Sequence, residues 1–146
     1  MAMVGLIGLG IIGTAFAHNL LEDGDMVVGC DIDTARVQVL AAMGGQGVRT
    51  PREVAENTDC VLTAVASTGA LELIATGPDG LVRSARRDFV VVDVSTLAIE
   101  EKEAARADLH AAGISMLDCT ISGMGKHARP GMWCSWRAET AKPSEG

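Results

Sequence analysis

Val4-Gly5-Leu6-Ile7-Gly8-Leu9-Gly10-Ile11-Ile12-Gly13 is the stretch that decides the predicted fold of this chain of 146 residues. Its first four residues form an apolar run with the character of a strand, and the last six contain three glycines in the spacing G-x-G-x-x-G. Helical periodicity follows, because apolar side chains at residues 12, 16, 20 and 21 fall on one face of a helix. A strand, a glycine turn and a helix in this order are typical of a site that binds phosphate on backbone N–H groups.

Each of the three glycines has a physical role in such a turn. Gly8 allows the tight bend after the strand, Gly10 lets the backbone approach a pyrophosphate, and Gly13 lets the helix pack closely against the strand. The first turn of the helix then offers unpaired N–H groups and a partial positive charge to the phosphates. The alternative is a glycine-rich turn without a ligand, since a chain with 17 glycines can contain this spacing by chance.

An acidic residue at the end of the second predicted strand supports a dinucleotide as the ligand. Asp31 follows Gly13 by 18 residues, close to the roughly 20 expected of a carboxylate that accepts hydrogen bonds from the ribose hydroxyls of NAD. The same charge repels the 2′-phosphate of NADP, and the next residue, Ile32, is not an arginine that could bind it. Arg36 on the following helix could still reach that phosphate, so NAD is preferred and NADP stays open. A helix cap is the alternative role for Asp31, although Asp33 is better placed to cap.

The order of elements along the chain predicts the fold class. Strands are expected at residues 4–7, 26–30, 60–65, 89–92 and 114–117, with a weak short strand near 47–48. Helices are expected at residues 11–22, 33–43, 70–75, 79–86 and 97–112, and a further one starts at Thr50-Pro51-Arg52-Glu53, which combines a cap with proline at the first helical position. Strands that alternate with helices in this way predict a single α/β domain, a doubly wound parallel sheet in the order 3-2-1-4-5-6.

Composition excludes several other classes of function. Lys and Arg together number 12 against 19 Asp and Glu, a formal net charge of −7, which argues against nucleic acid or an anionic membrane as a partner. No apolar run is long enough to span a bilayer, and the first residues lack the basic segment of a signal peptide. The cysteines at positions 30, 60, 119 and 134 share no metal-ligand spacing, so they are expected to be reduced thiols without a metal. These features predict a cytoplasmic protein.

Five separate stretches of the sequence, in the right order, carry a family resemblance, among them the following three. The opening Gly8-Leu9-Gly10-Ile11-Ile12-Gly13-Thr14-Ala15-Phe16-Ala17-His18-Asn19-Leu20 is similar to G-L-G-x-M-G-x-x-M-A-x-N-L, and Asp93-Val94-Ser95-Thr96 and Asp118-Cys119-Thr120-Ile121-Ser122-Gly123 follow it. Together they resemble the β-hydroxyacid dehydrogenases, the family of 3-hydroxyisobutyrate dehydrogenase, tartronate semialdehyde reductase and 6-phosphogluconate dehydrogenase. The match runs from about residue 3 to about residue 131. It implies a Rossmann NAD(P)-binding fold and hydride transfer between a nicotinamide and a small β-hydroxyacid.

The resemblance implies roles for residues at the carboxyl ends of the strands. A first set would contact the cofactor: Gly8, Gly10, Ile11, Ile12, Gly13, Val65, Ala66, Ser67 and Thr96. Within this set, the glycine turn would lie at the pyrophosphate, residues 65–67 would lie over the dinucleotide, and Thr96 would lie near the nicotinamide. A second set would contact the substrate: Ser95, Thr96, Ser122 and Gly123. Ser95 and Thr96 could instead cap the helix that follows, and Ser122 and Gly123 could form a plain turn.

The sequence departs from the family pattern after the sixth predicted strand. Met124 stands where the family has a second glycine, while Lys126 and His127 fall at variable loop positions and are expected to be solvated. Because the resemblance ends there, residues 1–131 are expected to form the dinucleotide-binding domain and residues 132–146 a divergent, flexible tail.

The all-helical second domain of the family, which supplies a lysine general acid/base and an asparagine, has no counterpart in this sequence. None of the three lysines, at positions 102, 126 and 142, lies in the matching motif, so no catalytic residue is predicted. Proton transfer typically contributes about 10²–10⁴-fold to the rate of such a reaction. We therefore expect a truncated dehydrogenase, a dinucleotide-binding domain with little or no activity alone. The alternative is a non-catalytic module that forms a homodimer or binds a partner through the surface that the second domain would cover.

Overall fold

Strands and helices alternate along residues 2–119, the part of the chain that the computed structural model describes. The strands are β1 (Met3–Ile7), β2 (Met26–Cys30), β3 (Gln46–Gly47), β4 (Cys60–Thr63), β5 (Val90–Asp93) and β6 (Ser115–Asp118). The helices are α1 (Ile11–Glu22), α2 (Thr34–Ala42), α3 (Pro51–Asn57), α4 (Thr68–Thr76) and α5 (Ile99–Ala111), with a 3-10 turn at Leu81–Arg83. Within residues 2–119, none of the helices combines the length and the apolar character that a membrane span requires.

The six strands form one parallel sheet in the order β3-β2-β1-β4-β5-β6. β1 lies near the middle, and its last residue, Ile7, is opposite Cys30 of β2 and Thr63 of β4. The register continues across the sheet, where Asp93 of β5 lies between Thr63 and Asp118 of β6. The carboxyl ends of five strands therefore form a single row. The predicted doubly wound sheet and its strand order are confirmed.

Helices cover both faces of the sheet, which explains the continuous apolar runs in the strands. Along β4, Val61 packs into the core beneath α3, α4 and α5, while its neighbour Leu62 packs into the core beneath α1 and α2. β5 repeats the pattern with Val91 and Val92. All four side chains are buried, so each of these strands contributes to two hydrophobic cores.

Two helices start at the capping signals that the sequence contains. The Asp33 carboxylate accepts a hydrogen bond from the Ala35 N–H at 2.9 Å at the start of α2. The Thr50 hydroxyl accepts one from the Glu53 N–H at 3.2 Å, directly before Pro51, the first residue of α3. Each cap pairs an N–H group that the helix itself cannot pair, which stabilises the helix by about 1 kcal/mol.

The helix predicted at residues 79–86 is wrong, because only the 3-10 turn forms there. The guanidinium of Arg87 donates to the carbonyl oxygen of Ser84 at 2.6 Å and to that of Val82 at 2.9 Å. In a continuing helix these carbonyl groups would accept from backbone N–H groups further along the chain. The arginine side chain therefore replaces a further helical turn.

Cys30, at the carboxyl end of β2, makes the stability of the fold sensitive to alkaline pH. Burial raises the pKa of its thiol from 9.0 to about 12, and the nearby carboxylates of Asp31 and Glu53 add to the effect. Above pH 9.0 the unfolded chain loses this proton while the folded chain keeps it. The free energy of unfolding should therefore fall by about 1.4 kcal/mol per pH unit above that pH, until the folded thiol itself ionises.

Urea unfolding of the wild type and of Cys30→Ala across the alkaline range measures this slope. The variant should be less stable at neutral pH, because it loses a buried side chain. Its stability should nevertheless lack the additional alkaline slope. Equal slopes in the two proteins would contradict a raised thiol pKa in the folded state.

Candidate functional site

The glycine turn between β1 and α1 lies beside the carboxyl ends of β2 and β4. Gly8 has a φ of +96°, which favours glycine, and its N–H donates to the carbonyl oxygen of Cys30 at 3.0 Å. A Cβ on Gly8 would overlap the carbonyl oxygen of Ala64, and a Cβ on Gly13 would overlap the carbonyl oxygen of Gly8. The close packing of strand, turn and helix therefore requires both glycines.

Gly10 differs from these two glycines because the described part of the fold does not require it. Its φ is −75°, which other residues adopt without strain. Among the described residues, a Cβ on Gly10 would approach only the Arg36 guanidinium, at 3.9 Å. The main chain of Gly10 therefore faces open space, as a backbone that receives a close ligand must.

The first turn of α1 presents backbone N–H groups beside Gly10. Gly10 is the N-cap residue, and no side-chain cap is made there by the residues in the range 2–119. The N–H groups of Ile11, Ile12 and Gly13 belong to the first turn, where a helix has no acceptors of its own. Free N–H groups and the positive end of the helix dipole together suit a pyrophosphate.

Asp31 links the end of β2 to the glycine turn. One carboxylate oxygen accepts a hydrogen bond from the Leu9 N–H at 2.7 Å, and the other accepts from the Asp33 N–H at 2.8 Å. The side chain is only 6% exposed, so the carboxylate faces the turn. Each carboxylate oxygen can accept more than one hydrogen bond, which leaves capacity for ribose hydroxyls. Asp31 does not cap α2, since Asp33 does, and its structural role at Leu9 was not predicted.

Arg36 of α2 lies against the same carboxylate. Its guanidinium is 3.7 Å from the Asp31 carboxylate and 3.8 Å from that of Asp33, and about half of its side chain is exposed. It borders a groove of about 710 Å³ that is lined by Leu9, Gly10, Ile11, Thr14, Ala15, His18, Arg36 and Met43. An exposed guanidinium at this place is also able to bind a phosphate on the ribose. The geometry is therefore compatible with both NAD and NADP.

The loops after β4 and β5 carry the other residues predicted to contact a cofactor. Val65, Ala66 and Ser67 follow β4, Thr96 follows β5, and all four are partly or largely exposed. The Ser67 hydroxyl also caps α4 by accepting from the Ala70 N–H at 3.3 Å, so this helix starts at Thr68 and not at the predicted residue 70. Because β4 lies next to β1 and β5 lies next to β4, the loop after β4 is beside the glycine turn and the loop after β5 follows it along the same edge.

Ser95, predicted to contact the substrate, joins the loops after β4 and β5 in this structure. Its side chain is buried, and its hydroxyl oxygen accepts from the Val65 N–H at 2.8 Å and donates to the Thr63 carbonyl oxygen at 3.4 Å. The strand was predicted to run to residue 65, but β4 ends at Thr63 because the Val65 N–H bonds to Ser95 and not to a neighbouring strand. The alternative, a helix cap by Ser95 or Thr96, is wrong, because the N-cap of α5 is Ala98, without a side-chain hydrogen bond. In this structure Ser95 holds two loops together, and a role toward substrate stays a prediction.

A buried ionic network at the ends of β5 and β6 was not predicted. The Lys102 ammonium, on a side chain 4% exposed, lies 2.8 Å from the Asp118 carboxylate and 3.3 Å from that of Asp93. Burial alone would lower the pKa of Lys102, but the hydrogen bond to Asp118 and the charge of Asp93 outweigh it and raise the pKa above 10.5. Helical spacing could have revealed this lysine, because it shares the buried face of α5 with Ala105 and Leu109.

The remaining predicted site residues, Ser122 and Gly123, lie outside the described residues, as do the loop positions 124–127. Within residues 2–119, no group of three or more His, Cys, Asp or Glu side chains could hold a metal ion. The described part of the site therefore consists of the glycine turn, Asp31 with Arg36, and the loops after β4 and β5.

Parts of known enzymes are similar to this chain in sequence and in fold. The chain is 30% identical over 128 residues to 2-(hydroxymethyl)glutarate dehydrogenase of Eubacterium barkeri, and 33% identical over 129 residues to 2-hydroxy-3-oxopropionate reductase of Escherichia coli (strain K12). Each alignment covers 88% of this chain but only 42% and 44% of the respective relative, so the chain spans less than half of either. The solved structure of Mycobacterium tuberculosis 3-hydroxyisobutyrate dehydrogenase with L-serine matches with a TM-score of 0.80 at 25% identity, covering 86% of this chain and 42% of that one.

One family of domains matches most of the sequence. It is described as the NAD binding domain of 6-phosphogluconate dehydrogenase, and the match runs over residues 3–135. This range contains the glycine turn, Asp31 and all six strands of the sheet. The chain therefore belongs to the family of the NAD binding domain of 6-phosphogluconate dehydrogenase.

Proposed function

We propose that this chain binds a nicotinamide dinucleotide along the carboxyl edge of its sheet and prefers NAD to NADP. Gly10 carries the proposal, because nothing in the described fold requires it and its main chain stays open beside the uncapped start of α1. The pyrophosphate would lie over Gly10 and accept hydrogen bonds from the N–H groups of residues 11–13. Gly8 would contribute by bending the chain so that these groups face the ligand.

The two halves of the sheet suit the two halves of such a ligand. Asp31, at the end of β2, would accept hydrogen bonds from the adenosine ribose, and its charge would repel a 2′-phosphate. Arg36 is close enough to offset part of that repulsion, which is why NADP is disfavoured and not excluded. Residues 65–67 and Thr96 would line the nicotinamide half, because they lie on the loops after β4 and β5.

The reaction that we propose for this site is hydride transfer between the nicotinamide and a small β-hydroxyacid. The names of the two relatives support it, since they are a dehydrogenase and a reductase of small hydroxyacids. When bound, the nicotinamide supplies the hydride donor or acceptor. Thr96, Ser122 and Gly123 would orient the substrate, and residues 1–131 would form the dinucleotide-binding unit.

The described residues can bind and orient, but they offer no lysine for proton transfer. Lys102, the single lysine within residues 2–119, is buried and ion-paired with two carboxylates. A general acid or base must reach the reacting oxygen to about 3 Å, which this ammonium does not do while it is held inside the protein. We therefore propose that the 146-residue chain binds its ligands with little turnover of its own.

Gly10→Ala should weaken dinucleotide binding without weakening the fold. A methyl group on residue 10 projects into the space of the pyrophosphate, so the affinity for NADH should fall at least about tenfold. The free energy of unfolding should stay the same or rise by up to about 1 kcal/mol, because alanine fits the backbone there and restricts the unfolded chain. Fluorescence titration with NADH and urea unfolding measure the two quantities.

Gly13→Ala is the matched comparison for this substitution. Its Cβ would overlap the Gly8 carbonyl oxygen, so it should lose stability and binding together. Unchanged NADH affinity in Gly10→Ala would contradict the proposal. Failure of the wild type to bind NADH or NADPH at millimolar concentration would contradict it more generally.

Asp31→Asn should shift cofactor preference from NADH toward NADPH. Removal of the charge weakens the hydrogen bonds to the ribose hydroxyls, so the affinity for NADH should fall by about 10-fold to 100-fold. The affinity for NADPH should fall less, because the repulsion of its 2′-phosphate disappears and Arg36 loses a competing carboxylate. Calorimetric titration with each dinucleotide gives the ratio of the two affinities.

Asp33→Asn is the matched control, since it also removes a carboxylate that pairs with Arg36. Asparagine caps helices as well as aspartate does, so α2 should be preserved. This variant should leave the affinity for NADH unchanged. Equal losses in both variants would point to a general charge effect and would count against a ribose contact at Asp31.

The purified chain should show no measurable reduction of NAD with 3-hydroxyisobutyrate, glycerate or 6-phosphogluconate. The reason is that Lys102, the single lysine among the described residues, is buried and ion-paired, and loss of a proton-transfer group slows such reactions by about 10²–10⁴-fold. Absorbance of NADH reports the turnover, and NADH binding by the same preparation shows that the protein is folded. Steady turnover that Gly10→Ala abolishes would show that this chain is catalytically complete.

A further inference from the structure

Five side chains at the carboxyl ends of β4, β5 and β6 form a connected polar group, which we call the strand-end network: Thr63, Asp93, Ser95, Lys102 and Asp118. The Asp93 carboxylate is its centre. One oxygen accepts from the Thr63 hydroxyl at 2.8 Å and from the Ser95 N–H at 3.3 Å, and the other lies 3.3 Å from the Lys102 ammonium. The network therefore joins three adjacent strands and one helix.

Lys102 is the member of the network that comes from a helix. Its ammonium reaches from α5 to Asp93 at 3.3 Å and to Asp118 at 2.8 Å. Asp93 is completely buried, so its charge requires a partner inside the protein, and Lys102 is that partner. Because the two aspartates end neighbouring strands in register, one ammonium contacts the ends of both strands.

Two of the strand ends in the network, those of β4 and β5, continue into loops of the candidate site. The Ser95 hydroxyl oxygen accepts from the Val65 N–H at 2.8 Å, so the loop after β4 is held by the loop after β5. The Cys119 N–H donates to the carbonyl oxygen of Asp93 at 2.8 Å, so the segment after β6 starts from a position held by β5. A shift of the Asp93 carboxylate would therefore move the loops after β4 and β5 and the position of Cys119.

We infer that Lys102 is a positioning residue that bridges Asp93 and Asp118 and so fixes the carboxyl ends of β4, β5 and β6 in the arrangement that receives the nicotinamide half of the dinucleotide. The inference rests on the proposed function, because it requires a dinucleotide on this edge. In a doubly wound sheet each half binds one mononucleotide, and the network lies within the half formed by β4, β5 and β6. The glycine turn and Asp31, which would hold the adenosine half, lie outside the network.

Asp118→Asn tests the inference without removing the partner of a buried charge. The Asp118 side chain is 47% exposed, and Lys102 keeps Asp93 as its counter-ion, so this variant should fold. Lys102→Met, in contrast, leaves Asp93 uncompensated and could fail to fold. Asp118→Asn should weaken the binding of NADH about fivefold and leave the affinity for ADP-ribose, which lacks the nicotinamide, unchanged. A role confined to stability would not change the ratio of these two affinities.

Asp59→Asn is the matched control for this experiment. Asp59 forms an ion pair with Arg86 at 3.0 Å, but it does so at the start of β4, at the opposite end of the strand from the network. This variant should change the affinity for neither ligand. Equal losses of NADH and ADP-ribose affinity in Asp118→Asn, or no loss of either, would overturn the inference.

Amide hydrogen exchange separates this inference from the proposed function. The N–H groups of Val65 and Cys119 donate to acceptors that the network holds, so both should exchange at least about tenfold faster in Asp118→Asn than in the wild type. If the wild type binds neither NADH nor ADP-ribose, the proposed function is wrong and the inference falls with it. If the wild type binds both, unchanged exchange at these two groups overturns the inference alone.

Discussion

The close approach of α1 to the end of β1 is the constraint on which the rest of the structure depends. Gly13 lies so near the carbonyl oxygen of Gly8 that no side chain fits between them. This contact places the start of α1 at the carboxyl edge of the sheet, and Asp31 holds the turn there by accepting from the Leu9 N–H at 2.7 Å. A helix that began farther from the strand would direct its free N–H groups away from that edge.

Short-range signals account for the parts of the fold and of the site that could be predicted from the sequence. Apolar runs without alternation indicated strands buried on both faces, and Val61 and Leu62 show the reason, since these neighbours pack into opposite cores. The caps at Asp33 and Thr50 involve residues two and three positions away. The glycine turn is equally local, and Asp31 could be placed because its distance from the turn is set by one helix and one strand.

The parts that could not be predicted depend on contacts between residues that are distant in the chain. Ser95 bonds to Val65 across 30 residues, and the ammonium of Lys102 reaches Asp118 across 16. A motif that ends a strand with Ser95 indicates an exposed ligand or a helix cap, but it does not reveal that the neighbouring loop will bury the hydroxyl. Lys102 belongs to no motif, and a lysine in an otherwise acidic helix start is ordinarily solvated. Helical spacing places Lys102 on the buried face of α5, but only the fold shows which two carboxylates its ammonium meets.

The two halves of the carboxyl edge are built from different interactions, yet the contribution of each half to the free energy of unfolding is lost in the alkaline range. In the half formed by β4, β5 and β6, the raised pKa of Lys102 means that its contribution to stability is complete below 10.5 and is lost as pH rises through the raised value. In the other half, Cys30 acts in the same direction, because its thiol must stay protonated. Asp31 is one cause of that protonation. Burial is the larger cause, so the carboxylate that holds the glycine turn adds to an effect of the core, and both disfavour a thiolate beside the turn.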